Sequence, residues 1–222
     1  MNIRPLALMS LVTAVALAIF AFVTASRLPT GAELPVHWNA SGQPDDFEPA
    51  LRALLMPAGI VLLVTTLFAL IPRIEPLQEK LEGSAPVLRA SWIGMLLLCV
   101  LISATIGLPA YGIAPPVKTV FVGAGILLVM IGNALPKSRP GFFVGIRTPW
   151  AITDTDNWIA THRLGGRLMM LAGFAIILAG FLPLQAEATA IVLIAAVAMA
   201  AGVPYVYSWW LWHRARRERA GG

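Results

Sequence analysis

The chain has 222 residues, of which 58% are hydrophobic and 12% are charged, and its formal net charge at pH 7 is +5. Soluble globular domains carry about 25% charged residues, so this composition excludes an ordinary soluble domain and indicates a membrane protein.

Six segments are long and apolar enough to cross a bilayer, and none of them contains Asp, Glu, Lys, Arg or His. A hydrocarbon core of about 30 Å requires about 20 helical residues. The sequence therefore predicts an all-α polytopic membrane protein with six transmembrane helices. The apolar core of a signal peptide has about 7–15 residues, and the first segment is longer than that. We therefore expect this segment to stay in the mature protein as its first transmembrane helix. The six segments are 6–26, 53–71, 90–110, 119–135, 168–184 and 188–212.

The distribution of Lys and Arg predicts the orientation of the chain. Placing the N-terminus inside puts thirteen of these residues in the cytoplasm and three outside. Because positive residues concentrate in cytoplasmic loops, both termini are predicted to be cytoplasmic. The net positive charge then reflects this asymmetry, and no nucleic-acid partner is expected.

The outer loop, residues 27–52, contains the sequence LPVHWNASGQPDDFEP. An extended piece around 34–38 is predicted to lead into a turn at 41–44, and Asp45 or Asp46 is predicted to cap the second helix. The loop groups polar side chains that could form a metal site or a hydrolytic triad, yet it lacks a paired HxxxH pattern and a nucleophile elbow. No metal, cofactor or catalytic residue is therefore predicted. The candidate functional residues of this loop are His37, Asn39, Asp45 and Asp46.

The inner loop 72–89 mixes acidic and basic residues, which predicts a short solvated helix on the membrane surface. The second inner loop, 136–167, is more unusual because it carries GIRTPWAITDTDNWIATHR between two apolar segments. Thr153 and Asp156 form a capping-box pattern for a helix that presents Trp158 and His162 on one face. A hinge is predicted at Gly165-Gly166, where this helix meets the fifth span.

Two interpretations of this inner segment stay open from the residues alone. In the first, Arg147, Trp150, Trp158, His162 and Arg163 cluster into a cytoplasmic recognition face. In the second, the segment is an interfacial amphipathic helix, with its tryptophans at headgroup depth and its arginines on phosphates. The composition satisfies the second interpretation without further assumption.

Two motifs resemble the SdpI family of bacterial membrane proteins. LPVHWNASGQPDDF resembles the family's N-terminal module, and GIRTPWAITDTDNWIATHRLGG resembles its C-terminal signature. The motifs occur in the family's order, and the resemblance covers nearly the whole chain. The matching outer positions are Pro35, His37, Asn39, Gly42 and Pro44. The matching inner positions are Gly145, Arg147, Thr148, Pro149, Trp150, Trp158, His162, Arg163 and Gly166.

The resemblance implies a non-enzymatic protein of the bacterial inner (cytoplasmic) membrane that gives immunity to a secreted toxin peptide. It also implies signalling, through a cytoplasmic repressor held at the membrane. We expect two modules of three helices, 1–115 and 116–222, the first with the outer loop and the second with the inner signature. A small-molecule or ion permease, and a membrane enzyme using the loop histidines, are the alternatives.

Overall fold

The computed structural model describes residues 2–39, 41–76 and 78–220, without the side chains of residues 78–81 and 220. Six long helices are apolar enough to cross a membrane, which confirms the predicted all-α class and the number of spans. The cytoplasmic position of the termini stays a prediction. The helices are α1 Arg4–Ala25, α2 Ala50–Ile74, α3 Gln78–Gly107, α4 Lys118–Ala134, α5 Pro149–Thr153, α6 Thr155–Phe181 and α7 Ala186–Ala220.

The outer loop forms a β-hairpin between α1 and α2. Strand β1, Glu33–Trp38, pairs antiparallel with β2, Pro44–Pro49, around a turn in which Gly42 has a φ of 74°. The extended piece and the turn follow the sequence-based prediction. The predicted helix cap is wrong, because Asp45 and Asp46 lie in β2 and α2 begins only at Ala50.

Small residues let α4 and α6 pack with their backbones in contact. A Cβ atom on Gly125 would lie 2.7 Å from the carbonyl oxygen of Gly173, and one on Gly132 would lie 2.7 Å from that of Gly166. A side chain cannot fit at these two positions, so the glycines permit the close approach that stabilises helix pairs in lipid. Gly165 and Gly166 sit inside the continuous helix α6, and the predicted hinge is therefore wrong.

A second core joins α1, α2 and α3. Trp92 is fully buried there, its indole nitrogen donates to Ser10 Oγ at 2.7 Å, and its ring meets Phe68 edge-on. The hydrogen bond satisfies the polar atom of a side chain that is otherwise surrounded by apolar groups.

The first inner connection is shorter than predicted. Helix α2 ends at Ile74 and α3 already begins at Gln78, so α3 includes much of the loop 72–89. The prediction of a separate solvated helix is wrong. Residues 84, 85, 87 and 88 are buried against neighbouring elements, which extends the helix beyond its apolar span.

Candidate functional site: a cap at the inner-loop end

The inner signature forms a cap, defined here as residues 135–163, over the bundle end where α3 begins and α4 ends. Its centre is a stack of two rings: Trp158 and His162 have centroids 3.9 Å apart at an interplanar angle of 18°, and both are fully buried. One turn of helix separates the two residues, which brings their side chains to the same face of α6.

Both nitrogens of His162 are bound to main-chain groups. Nε2 accepts from the Ile146 N–H at 2.8 Å, and Nδ1 lies 2.8 Å from the carbonyl oxygen of Trp158. Since an acceptor at Nε2 carries no proton, Nδ1 carries it and the imidazole is neutral. The ring therefore holds the loop to the helix, and neither nitrogen is free for acid–base chemistry in this arrangement.

The glycine of the signature makes room for this stack. Gly145 has a φ of 118°, and a Cβ atom there would lie 2.5 Å from His162 Nε2 and 2.8 Å from Trp158 Cζ2. Positive φ is accessible to glycine at little steric cost, and the missing side chain admits the rings. Gly145, Trp158 and His162 thus pack against one another, which explains why the signature contains all three.

The indole nitrogen of Trp158 fixes the start of the cap. It donates to both the carbonyl oxygen and the hydroxyl of buried Ser138, each at 3.3 Å. The Ser138 hydroxyl in turn donates to the carbonyl oxygen of Leu135 at 2.9 Å. The chain leaving α4 is therefore tied to α6.

A buried hydrogen-bond network joins the cap to α7. Asn157 donates from Nδ2 to the carbonyl oxygen of Ser208 at 2.9 Å, and its Oδ1 accepts from the hydroxyls of Ser208 and Thr161 at 2.8 and 3.0 Å. Thr148 Oγ1 lies 2.6 Å from Ser208 Oγ and accepts from the Ala151 N–H, which caps α5. Because the Ser208 proton points to Asn157, Thr148 donates to Ser208.

We expect Ser208→Ala to loosen this network. The change leaves the Thr148 hydroxyl buried without its acceptor and removes one donor from Asn157, which costs about 1–3 kcal/mol. Heating the purified variant in detergent and measuring the folded fraction by size exclusion should show a lower midpoint than wild type. Ser26→Ala is the control, because the exposed Ser26 hydroxyl, just after the end of α1, donates only to the carbonyl oxygen of Val23. Equal midpoints for both variants would contradict the network's role.

A buried carboxylate from the other half of the chain holds the apolar part of the cap. Glu75 is 3% exposed, and its carboxylate accepts from the N–H groups of Phe142 and Phe143 at 3.0–3.1 Å. Arg147 Nη1 donates to the carbonyl oxygen of Phe142 at 2.8 Å. Glu75 was not predicted as a site residue, and nothing in its local sequence distinguishes it from the other acids of its loop.

The structure divides the predicted recognition cluster between interior and surface. Trp158 and His162 are core residues, whereas Arg147 and Arg163 are exposed. Trp150 packs on α7, where its ring centroid lies 5.5 Å from that of Tyr205 and 6.0 Å from that of Trp212. The five side chains therefore do not form one surface. Burial of Trp158 also makes the interfacial-helix interpretation wrong for this tryptophan.

The other signature positions serve the turn into α6. Thr148 is the N-cap of α5, and Pro149 occupies its first turn, where a missing N–H costs nothing. The N-cap of α6 is Asp154, which accepts from the N–H groups of Asp156 and Asn157. The predicted Thr153–Asp156 capping box is wrong, since the Thr153 hydroxyl bonds back to α5.

At the opposite end, the outer residues form an exposed hairpin surface. His37 Nδ1 lies 2.6 Å from Asp45 Oδ1, and the two side chains are 66% and 41% exposed. Asn39 Oδ1 accepts from the Gln43 N–H within the turn, and Asp46 Oδ1 accepts from the Phe47 N–H. Ordinary turn chemistry thus accounts for Asn39 and Asp46.

The outer loop does not assemble the hydrolytic triad considered from the sequence. The Ser41 hydroxyl donates to Glu187 Oε1 at 2.9 Å, which ties the hairpin to the start of α7 and directs the hydroxyl away from His37. In residues 2–39, 41–76 and 78–220, no three His, Cys, Asp or Glu side chains gather as a group that could hold a metal ion.

The fold and the cap define a multi-pass membrane protein with a β-hairpin at one end of six helices and a loop packed into the other. Residues 137–208 match the SdpI/YfhL protein family, and residues 11–70 match a domain of unknown function, DUF1648. The part of the chain that holds most of the cap, all of α6 and much of α7 is therefore similar to the SdpI/YfhL family.

A curated relative matches the chain over about two thirds of its length. The Immunity protein SdpI of Bacillus subtilis (strain 168) is 23% identical over 150 residues, which is 67% of this chain and 70% of that protein. No solved structure matches the chain.

Proposed function

We propose that this protein gives its bacterial host immunity to a secreted toxin peptide, acting from the inner membrane with both termini in the cytoplasm. The observation that carries the proposal is the family match over residues 137–208, supported by the relative named as an immunity protein. Eighteen of these residues, 137–154, belong to the connection between the spans α4 and α6.

The surface residues divide into two candidate contact regions. In the proposed orientation the hairpin faces outward, and its strand β2 presents the exposed carboxylates of Asp45 and Asp46 to an arriving peptide. At the cytoplasmic end, the exposed guanidinium groups of Arg147 and Arg163 would meet a cytoplasmic regulator or lipid phosphates. The buried pair of Trp158 and His162 supports the second region by holding its backbone.

The two alternatives find less support. Against a membrane enzyme that uses the loop histidines, both ring nitrogens of His162 are already hydrogen-bonded. The Ser41 hydroxyl, the nucleophile considered for His37, donates to Glu187 instead. For the permease, the hydroxyls of Thr66 and Thr105 bond to carbonyls of their own helices, and Asn133 is exposed on the side of α4. Proton and ion carriers commonly hold ionisable side chains within their spans.

We expect Arg147→Ala to abolish protection while membrane abundance stays unchanged. The side chain is exposed and makes one hydrogen bond to a main-chain oxygen. The free energy of unfolding should therefore change by no more than about 0.5 kcal/mol. A voltage-sensitive dye would report depolarisation in sensitive cells that express the protein and are challenged with a secreted killing peptide. Arg167→Ala is the matched control, since Arg167 is an exposed arginine outside the signature.

His37→Ala in the same assay tests the hairpin region. Protection by wild type and its loss in one variant would identify the end that carries immunity. Loss of abundance together with protection would instead assign Arg147 a structural role. If wild type and empty vector depolarise equally, the proposed function is wrong for this peptide.

A further inference from the structure

An apolar cavity of about 260 Å³ lies under the hairpin, outside the cap. Its lining includes Val36 and Trp38 of β1, Ile102 near the end of α3, and Val120 and Phe121 of α4. An engineered apolar cavity of about 150 Å³ already binds benzene, so this space accepts a larger group.

Most of the cavity wall is apolar, which favours an apolar occupant over water. The polar side chains His37, Asn39, Thr105 and Lys118 contribute the smaller part of the lining. Thr105 is the one hydroxyl-bearing residue of the lining, and its Oγ1 donates to the carbonyl oxygen of Leu101, in its own helix. Buried water requires two to four polar partners, and an empty apolar cavity destabilises the fold in proportion to its volume. Since the cavity lies between the ends of membrane helices, hydrocarbon chains are the nearest material that can fill it.

The ammonium group of a lysine lies at the polar end of the cavity. Lys118 belongs to the lining, and its Nζ donates to the carbonyl oxygens of Leu182 at 3.1 Å and Leu184 at 2.6 Å. An ammonium group has three N–H donors, so one remains. Across the described residues no ion pair with Lys118 is found. The lining thus pairs an apolar interior with one unneutralised positive charge.

We propose that this cavity binds one anionic phospholipid of the surrounding bilayer, with an acyl chain among Val36, Ile102 and Phe121 and a phosphate oxygen on Lys118. The site lies where the hairpin and α7 meet, at the Ser41–Glu187 hydrogen bond, so the lipid fills the junction between the two halves of the chain. The proposal is independent of the immunity function.

Native mass spectrometry of the purified full chain in dodecyl maltoside tests this site. Palmitoyl-oleoyl phosphatidylglycerol and the phosphatidylcholine with the same chains are the probes. We expect one phosphatidylglycerol to bind wild type about fivefold more tightly than phosphatidylcholine, as one lysine near a headgroup provides. Lys118→Gln should remove that preference, because the introduced amide is neutral yet keeps N–H donors for the neighbouring carbonyl oxygens.

Val120→Trp should lower the affinity for phosphatidylglycerol by about tenfold or more, because the indole occupies the chain-binding space. Val12→Trp is the control, since Val12 is 61% exposed on the face of α1 that points away from the other helices. Ile102→Phe repeats the filling test from α3 in case the first variant does not fold. Equal retention of phosphatidylglycerol by wild type and a folded filled variant would overturn the proposal. Unchanged lipid binding with lost toxin protection would assign the cavity to the peptide instead.

Discussion

Gly145→Ala should unfold the cap and lower the stability of the protein by about 2–5 kcal/mol, the largest effect we expect from adding a single carbon atom. Two costs add: an L-residue resists a φ of 118°, and the new Cβ would lie 2.5 Å from His162 Nε2. Relieving that overlap moves Ile146 away from its hydrogen bond with the ring.

Gly31→Ala is the matched control for this prediction. Gly31 also has a positive φ, of 81°, but no atom lies within 4 Å of a Cβ built there. Gly31→Ala should therefore lower the free energy of unfolding only by the conformational cost of a positive φ, about 1–2 kcal/mol. The difference between the two variants, measured as thermal midpoints in detergent, isolates the packing of Gly145 on the Trp158–His162 stack. Equal midpoints would show that the stack does not require a glycine.

Gly173→Ala should separate α4 from α6 and cost about 1–3 kcal/mol, the usual penalty for overpacking. The Cβ atom would lie 2.5 Å from the carbonyl oxygen of Gly125 and 2.7 Å from Val129 Cγ2. A backbone oxygen cannot rotate away as a side chain can, so the helices must move apart and lose contacts along their length.

Gly202→Ala in α7 provides the opposite expectation. No atom lies within 4 Å of its added Cβ, and alanine favours a helix interior over glycine by up to about 1 kcal/mol. The midpoint should therefore stay or rise. Tryptic digestion in native membranes should show faster cleavage of Gly173→Ala alone. A Gly173→Ala midpoint at or above that of wild type would contradict the close packing of α4 and α6.

Much of the fold was predictable because its signals are local. Twenty-residue apolar segments identify the spans, and a Gly-Gln-Pro turn after an extended piece identifies the first strand and the turn of the hairpin, but not its second strand. The spacing of Trp158 and His162 places both rings on one face of α6, where the structure has them buried. Helix ends were less accessible: α3 and α6 continue past the apolar segments, because tertiary contacts bury their polar turns.

The site was predictable as a segment and not as an arrangement. The two interpretations made from the residues alone treated the aromatic residues of the inner loop as surface groups, yet Trp158 donates to Ser138 in the interior. Asn157 and Ser208 were missed because each resembles an ordinary polar residue in its own surroundings. Their importance arises from a hydrogen bond across 51 residues of sequence.

The sequence by itself determined the class of protein, the six spans, the first strand and turn of the outer loop, and the location of the signature. Each depends on hydrophobicity, turn chemistry or helical period within about twenty residues. Only the tertiary structure decided that Glu75 holds amides 67 and 68 residues away, that Gly145 admits a histidine ring, and that a cavity with Lys118 at its polar end lies under the hairpin. The physical reason is that a buried polar group needs a partner, and folding brings that partner from anywhere in the chain.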